Sequence, residues 1–178
     1  MIFSRDSHGF ELHWCVTIVK RLWLIFLVFA SMAAAANAAP VVVVVRHAEK
    51  ATVGGNDPEL SVAGQKRAEA LARILKDAQI TSIFVTEFKR TQQTAAPTAR
   101  AAHIPPTIIP ARDIPGLVSK LRALNGNALV VGHGNTVPDL MKALGITTAV
   151  TIPEDDYTEI FVVSLTDPPQ LLRLHYPF

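Results

Sequence analysis

After residue 40 the hydrophobic positions fall into two alternating kinds of segment. Residues 41–45 are five valines in a row, too short for a helix and apolar on both sides. Such a run predicts a strand buried on both faces, as strands inside α/β sheets are. Residues 81–86 (TSIFVT) and 128–131 (ALVV) predict two more strands. Residues 105–110 are held extended by their prolines and predict a short one. Between these lie segments of helical period. Ser61 is placed to cap a helix to about Ala78, with Ala68, Leu71, Ala72 and Leu75 on one face. A second helix is expected over 89–102, kinked or broken at Pro97. Asp113 is placed to cap a third, with Pro115 in its first turn and an end near Leu124. Asn135 is placed to cap a fourth over 136–144, closed by Gly145. Residues 157–165 and 170–175 predict antiparallel strands joined by Thr166-Asp167-Pro168-Pro169. Strands alternating with helices give an α/β fold: a three-layer sandwich, its central sheet mostly parallel and antiparallel at one edge, with helices on both faces.

Residues 1–38 have a different pattern. Lys20-Arg21 precede the apolar run LWLIFLVFASMAAAA, which ends at Ala36-Asn37-Ala38. A basic step, an apolar core of that length and a small-residue site predict a signal peptide cut before Ala39. The stretch before Lys20 is long and polar for such a leader, and suggests a true start downstream of Met1. The alternative is an anchor over residues 22–39, which falls short of the roughly 20 apolar residues of a membrane span. The expected localisation is periplasmic or secreted. Residues 39–178 form the expected single domain, with no membrane contact once the leader is removed.

Composition narrows the chemistry. The 140 residues after position 38 carry 14 Lys+Arg against 13 Asp+Glu. That balance lacks the clustered basic excess of a nucleic-acid surface. Cys15 is the only cysteine of the chain and lies in the leader. The domain therefore has no disulfide, thiolate metal site or cysteine nucleophile.

In α/β sheets, ligands bind beyond the carboxyl ends of the strands. Polar residues follow three of the predicted strands: Arg46-His47 after the valines, Glu87-Phe88-Lys89-Arg90 after SIFVT, and Gly132-His133-Gly134-Asn135 after ALVV. A lone histidine at a strand end is more often structural than catalytic, and His103 and His175 are read that way. Two histidines and two arginines at one sheet edge would repel each other unless they shared an anion. Arginine offers planar paired donors for phosphoryl oxygens. The expected partner is a phosphorylated substrate. A metal site on the two histidines is disfavoured by the neighbouring arginines.

Arg46-His47-Ala48-Glu49 resembles the RHG/RHA signature of the histidine phosphatase superfamily, the phosphoglycerate-mutase-like proteins. Arg90-Thr91-Gln92-Gln93-Thr94-Ala95 resembles its R-x-x-x-T-A segment, and Gly132-His133-Gly134 its distal GHG segment. The three stand in the family's order. The resemblance implies a phosphatase with His47 as the nucleophile that forms a phosphohistidine. It implies phosphoryl binding by Arg46, Arg90 and His133, hydrolysis by water, and no metal or cofactor. The substrate would be a phosphomonoester or phosphoramidate. The same pocket without turnover, a phosphate-binding or interaction module, is the alternative.

The carboxyl general acid is the point of departure. The acid-phosphatase branch has an Asp after its distal histidine, where this chain has Gly134. The mutase-like branch has a Glu in a long insert after the second arginine. Here that region is IPPTIIPARDIPG, whose one carboxylate is Asp113. Asp113 is therefore the expected acid, with Glu49 and Glu87 as rivals. A leaving group that needs little protonation is the other way to fill the gap.

Overall fold

The computed structural model describes residues 39–176. The leader expected over residues 1–38 lies outside the described residues. β1 (Val41–Arg46), β2 (Ile80–Val85), β3 (Thr107–Ile108) and β4 (Asn127–Gly132) run parallel, and β5 (Glu159–Ser164) and β6 (Gln170–His175) close the sheet antiparallel. The order across the sheet is β3-β2-β4-β1-β5-β6. The helices are α1 (Val62–Ile74), α2 (Lys89–Ala102), α3 (Ile114–Arg122) and α4 (Thr136–Leu144).

The valine run is the middle of this sheet, bonded to β4 on one side and β5 on the other. Its side chains alternate between two cores. Val42 and Val44 pack with Leu117 and Leu121 of α3 and with Val137, Leu140 and Met141 of α4. Val43 and Val45 pack with Leu71 of α1 and Ala95 of α2. Both faces are apolar because both are covered, so period-two alternation of polarity is absent. Each buried valine contributes roughly 1.5–3 kcal/mol of transfer free energy. The strand end is thereby a stiff mount.

The helix boundaries show which local signals were sufficient. Ser61 Oγ accepts from Gly64 N at 3.1 Å and Asp113 Oδ1 accepts from Gly116 N at 2.9 Å, so both expected caps form. α1 ends at Ile74, before the expected Ala78, in a turn closed by Ala78 N donating to Leu75 O. α2 runs from Lys89 to Ala102 without the break expected at Pro97; the proline is among the buried residues of the helix, and that burial offsets the missing N–H. Asn135 makes no side-chain cap bond. The first N–H groups of the helix are taken by His133 O, which accepts from Thr136 N at 3.1 Å and Val137 N at 3.0 Å.

Topology opens the crevice. From β1 the chain passes toward α1, which packs on one face of the sheet. From the adjacent β4 it passes to α4, which packs on the other. Neighbouring strands whose connections leave to opposite faces part at their carboxyl ends, and a ligand site forms there.

Candidate active site

Arg46 and His47 leave β1 into that gap, and His133 leaves β4 beside them. The register sets Arg46 opposite Gly132, and His47 N donates to Gly132 O at 2.9 Å. The two imidazoles therefore lie close, with ring centroids 5.4 Å apart and edge to face. Gly132 lets the start of α4 sit close against β4: a Cβ there would stand 3.1 Å from Val137 Cγ2 and 3.2 Å from Thr136 Oγ1.

The R-x-x-x-T spacing has a local cause. Thr94 Oγ1 donates to Arg90 O one helical turn back at 2.7 Å and accepts from Ala48 N at 2.9 Å. One hydroxyl thus ties the first turn of α2 to the segment after β1. This linkage brings Arg90 to the histidines, its NH2 3.5 Å from His133 Nδ1 and its guanidinium 4.3 Å over the Phe88 ring. Asp57 holds it from the far side at 3.7 Å and also accepts from Lys89 N at 3.0 Å. The loop carrying Asp57 is drawn in by a bridge between Lys50 and Leu60.

His47 Nδ1 lies 2.8 Å from Ala48 O. A carbonyl only accepts, so Nδ1 carries the proton and the neutral ring has its lone pair on Nε2. Burial above all pulls this imidazole down to about 3; His133, Arg90 and Arg46 push the same way, against the raising bond to Ala48 O. His133 is pulled down to about 4, by burial first and then by Arg90 and Arg46, with Glu87 opposing. Both rings are neutral near pH 7. The repulsion expected of four cations is relieved by leaving only the arginines charged.

Arg46 NH1 donates to Pro153 O at 2.9 Å and to Asp156 O at 3.1 Å. Its guanidinium stacks 4.2 Å over the ring of Tyr157, while its buried Nε has no hydrogen-bond partner. The segment before β5 thus braces Arg46, a contact that the sequence pattern did not announce. The crevice itself is about 630 Å³ and is lined by Arg46, His47, Arg90 and His133 together with Lys50, Arg112, Phe88 and Glu154.

Of the three carboxylates considered as the acid, none lines this crevice. Asp113 is spent as the α3 cap, pressed so close to Gly116 that a Cβ there would lie 2.2 Å from Asp113 Oδ2. Glu49 is held by Arg67, with NH2 to Oε1 at 2.6 Å and Nε reaching both oxygens at 2.9 Å. Glu87 Oε2 accepts from Ala111 N at 2.8 Å. Glu154 is the carboxylate on the crevice wall. It was missed because it stands in a segment, TIPEDDY, with no strand or helix pattern to place it. His103 ends α2 in the left-handed conformation, and the exposed His175 meets Thr158, so both stay out of the site.

A model of the histidine phosphatase superfamily (branch 1) matches residues 42–112. No curated protein matches the chain. Among solved structures, the protein histidine phosphatase SixA complexed with tungstate is similar at 21% identity and a TM-score of 0.63, over 76% of this chain and 96% of that one. A structure described as mycobacterial hydrolase 1 matches at 15% identity and 0.60, over 78% and 98%. The native mycobacterial glucosyl-3-phosphoglycerate phosphatase matches at 15% and 0.59, also over 78% and 98%. At these identities the likeness is one of fold. The superfamily's sequence model thus spans β1 through β3, and the described domain shares the α/β fold of these solved phosphatases.

Proposed function

We propose that the protein is a phosphatase that hydrolyses a phosphomonoester or phosphoramidate through a phosphohistidine on His47. The observation that carries this is the orientation of His47. With Nδ1 committed to Ala48 O, the neutral ring offers Nε2 as a nucleophile within a crevice walled by two arginines. In the first step the Nε2 lone pair forms the N–P bond, and the bond from phosphorus to the leaving atom breaks. Arg46 and Arg90 stabilise the charge on the equatorial oxygens, where a loose transition state concentrates it. In the second step water attacks phosphorus, the N–P electrons return to Nε2, and one proton of the water ends on the departed leaving atom, giving the free alcohol or amine and hydrogen phosphate. The protein supplies the cations, and the scheme assigns no role to a metal.

Lys50 and Arg112 add positive charge to the crevice beyond the two arginines. They favour a substrate with more negative charge than one phosphoryl group. The printed name of the SixA relative, a protein histidine phosphatase, supports testing phosphoramidates beside esters. Export belongs to the same proposal and rests on the leader pattern of residues 1–38. The test is a panel of phosphomonoesters and phosphoramidates, including phosphohistidine, assayed with residues 39–178 and with His47→Ala. Turnover abolished by His47→Ala, with label trapped on His47 at high pH, supports the reading. Anion binding without turnover of any substrate would leave the binding module.

A further inference from the structure

The hydrogen bonds behind His133 form a chain whose direction can be counted. His133 Nε2 lies 3.0 Å from Thr86 Oγ1, which lies 3.0 Å from Thr91 Oγ1, which lies 2.8 Å from Phe88 O. All of these groups are buried or partly buried. Each of the three contacts needs one proton. The carbonyl brings none, and each threonine hydroxyl brings one. Thr91 gives its proton to backbone carbonyl oxygen, Phe88 O at 2.8 Å with Thr86 O beside it at 3.2 Å. Thr86 must then give its own to Thr91, whose backbone-facing side already accepts from Thr86 N at 3.1 Å. The third contact is then filled only if His133 Nε2 carries a proton, and Arg90 NH2, which can only donate, faces Nδ1 at 3.5 Å in agreement. Neutral His133 therefore has its lone pair on Nδ1, the nitrogen near Arg90 NH2.

A ring in that state cannot donate to a phosphoryl oxygen from Nδ1; it presents a lone pair to an anion. We infer that His133 becomes an imidazolium only when the anion binds, so that phosphoryl recognition takes up one proton at Nδ1 while the Thr86–Thr91 pair keeps the other on Nε2. This rests on the phosphatase reading of the crevice and adds to it a substrate class: a phosphoryl dianion together with a proton. The groups facing His133 make the coupling steep. Arg90, Arg46 and Glu87 act on it electrostatically and His47 stands edge-on to it. Lys50, Arg112 and Glu154 share the crevice wall. In the empty site the arginines and burial keep His133 neutral, and its ionisation lies near 4. A bound dianion cancels the arginines' charge and supplies an acceptor for Nδ1–H. Both changes favour the charged ring.

Sulfate is the probe, because it does not hold a proton in this pH range and any uptake must be by the protein. Calorimetry at pH 6.5 in two buffers of different ionisation enthalpy counts the protons. Wild type should take up about one proton per sulfate, and its Kd should rise up to tenfold per pH unit between about pH 5.5 and 7. His47→Gln, Glu87→Gln and Glu154→Gln should keep the uptake, and His133→Gln should lose it. Thr86→Val removes the acceptor of Nε2–H and frees the neutral ring to place its proton on Nδ1. Uptake should then fall well below one and the pH dependence flatten, while Thr86→Ser behaves as wild type. Sulfate bound without proton uptake overturns the inference, as does uptake that survives in His133→Gln. A wild-type count in folded Thr86→Val removes the threonine pair from it. Failure of wild type to bind any anion would instead remove the phosphoryl reading, and the inference with it.

Discussion

His47 and His133 leave adjacent parallel strands at the same level, and both are buried, yet their protons are set in different ways. His47 gives its Nδ1 proton to the carbonyl of the next residue. That acceptor is backbone and has no alternative role, so the tautomer of His47 is fixed within two residues of sequence. His133 rests on a hydroxyl pair brought from β2 and α2, 47 and 42 residues earlier in the chain. Hydroxyls donate as well as accept, and the carbonyls of Phe88 and Thr86 at the end of the chain give them a direction. On the proposed mechanism, the group that attacks in one protonation state is tied to backbone, and the group that changes its protonation state is tied to side chains.

The comparison breaks most sharply at His47, the proposed nucleophile. His47→Ala should lose turnover by about 10³-fold or more, because no other group supplies the covalent step. His133→Ala should lose about 10²–10³-fold, like a lost charge-stabilising donor, and should still form the intermediate. Rapid quench at high pH with labelled substrate separates them, since label should appear on the His47 peptide in His133→Ala and be absent in His47→Ala. Label in His47→Ala would end the assignment.

The arginines come next. Arg46→Ala or Arg90→Ala should each lower kcat/KM by about 2–4 kcal/mol. Lysine should restore little, because it lacks the planar fork. Wild-type kinetics in either variant would remove that arginine from the site.

Acid should expose the shared burial of the two rings. Their folded ionisation lies near 3 and 4, below the unfolded value of 6.5. The unfolded state therefore binds more protons as pH falls through 6.5, and stability falls with it until the folded rings also protonate. Each ring should contribute a loss on the order of 2–3 kcal/mol by pH 4. Denaturant midpoints followed from pH 7 to 4 would show it, and the loss should shrink in His47→Gln. A loss of the same size in that variant would place the acid sensitivity elsewhere.

The supports give the smaller effects. Thr94→Val leaves Ala48 N buried without an acceptor, at a cost of about 1–3 kcal/mol in stability, read from the urea midpoint. Asp113→Ala should lower stability by about 1 kcal/mol through loss of the α3 cap, with kcat unchanged. A large fall in kcat at unchanged fold would return Asp113 to the chemistry.

Much of the site was legible before any coordinates. The valine run, the glycines around His133 and the polar pairs after apolar segments named Arg46, His47, Arg90 and His133, because a buried strand must end somewhere and its last polar residues mark the edge. Asp57, Tyr157, Glu154 and the Thr86–Thr91 pair carried no such mark. Asp57 read as turn chemistry beside Pro58, and Thr86 as the last residue of a strand. Their roles depend on which side chains stand opposite them, and that is a property of the crevice.

By itself the sequence determined the strands, the order of the layers and three of the expected helix ends, because burial periodicity and the caps at Ser61, Asp113 and Gly145 act over a few residues. The tautomer of His47 is also set locally, by the carbonyl of the next residue. Tertiary structure decided the rest. It ran α2 through Pro97, where packing outweighs one lost backbone bond. It made Asp113 a cap, bound Glu49 to Arg67 and left Glu154 on the wall. It also turned two threonines into the acceptor of a histidine proton. A hydrogen bond between residues 47 apart exists only once the sheet has brought β2 beside β4. Its direction is then set by a count of protons along the whole chain of contacts, which no local pattern contains.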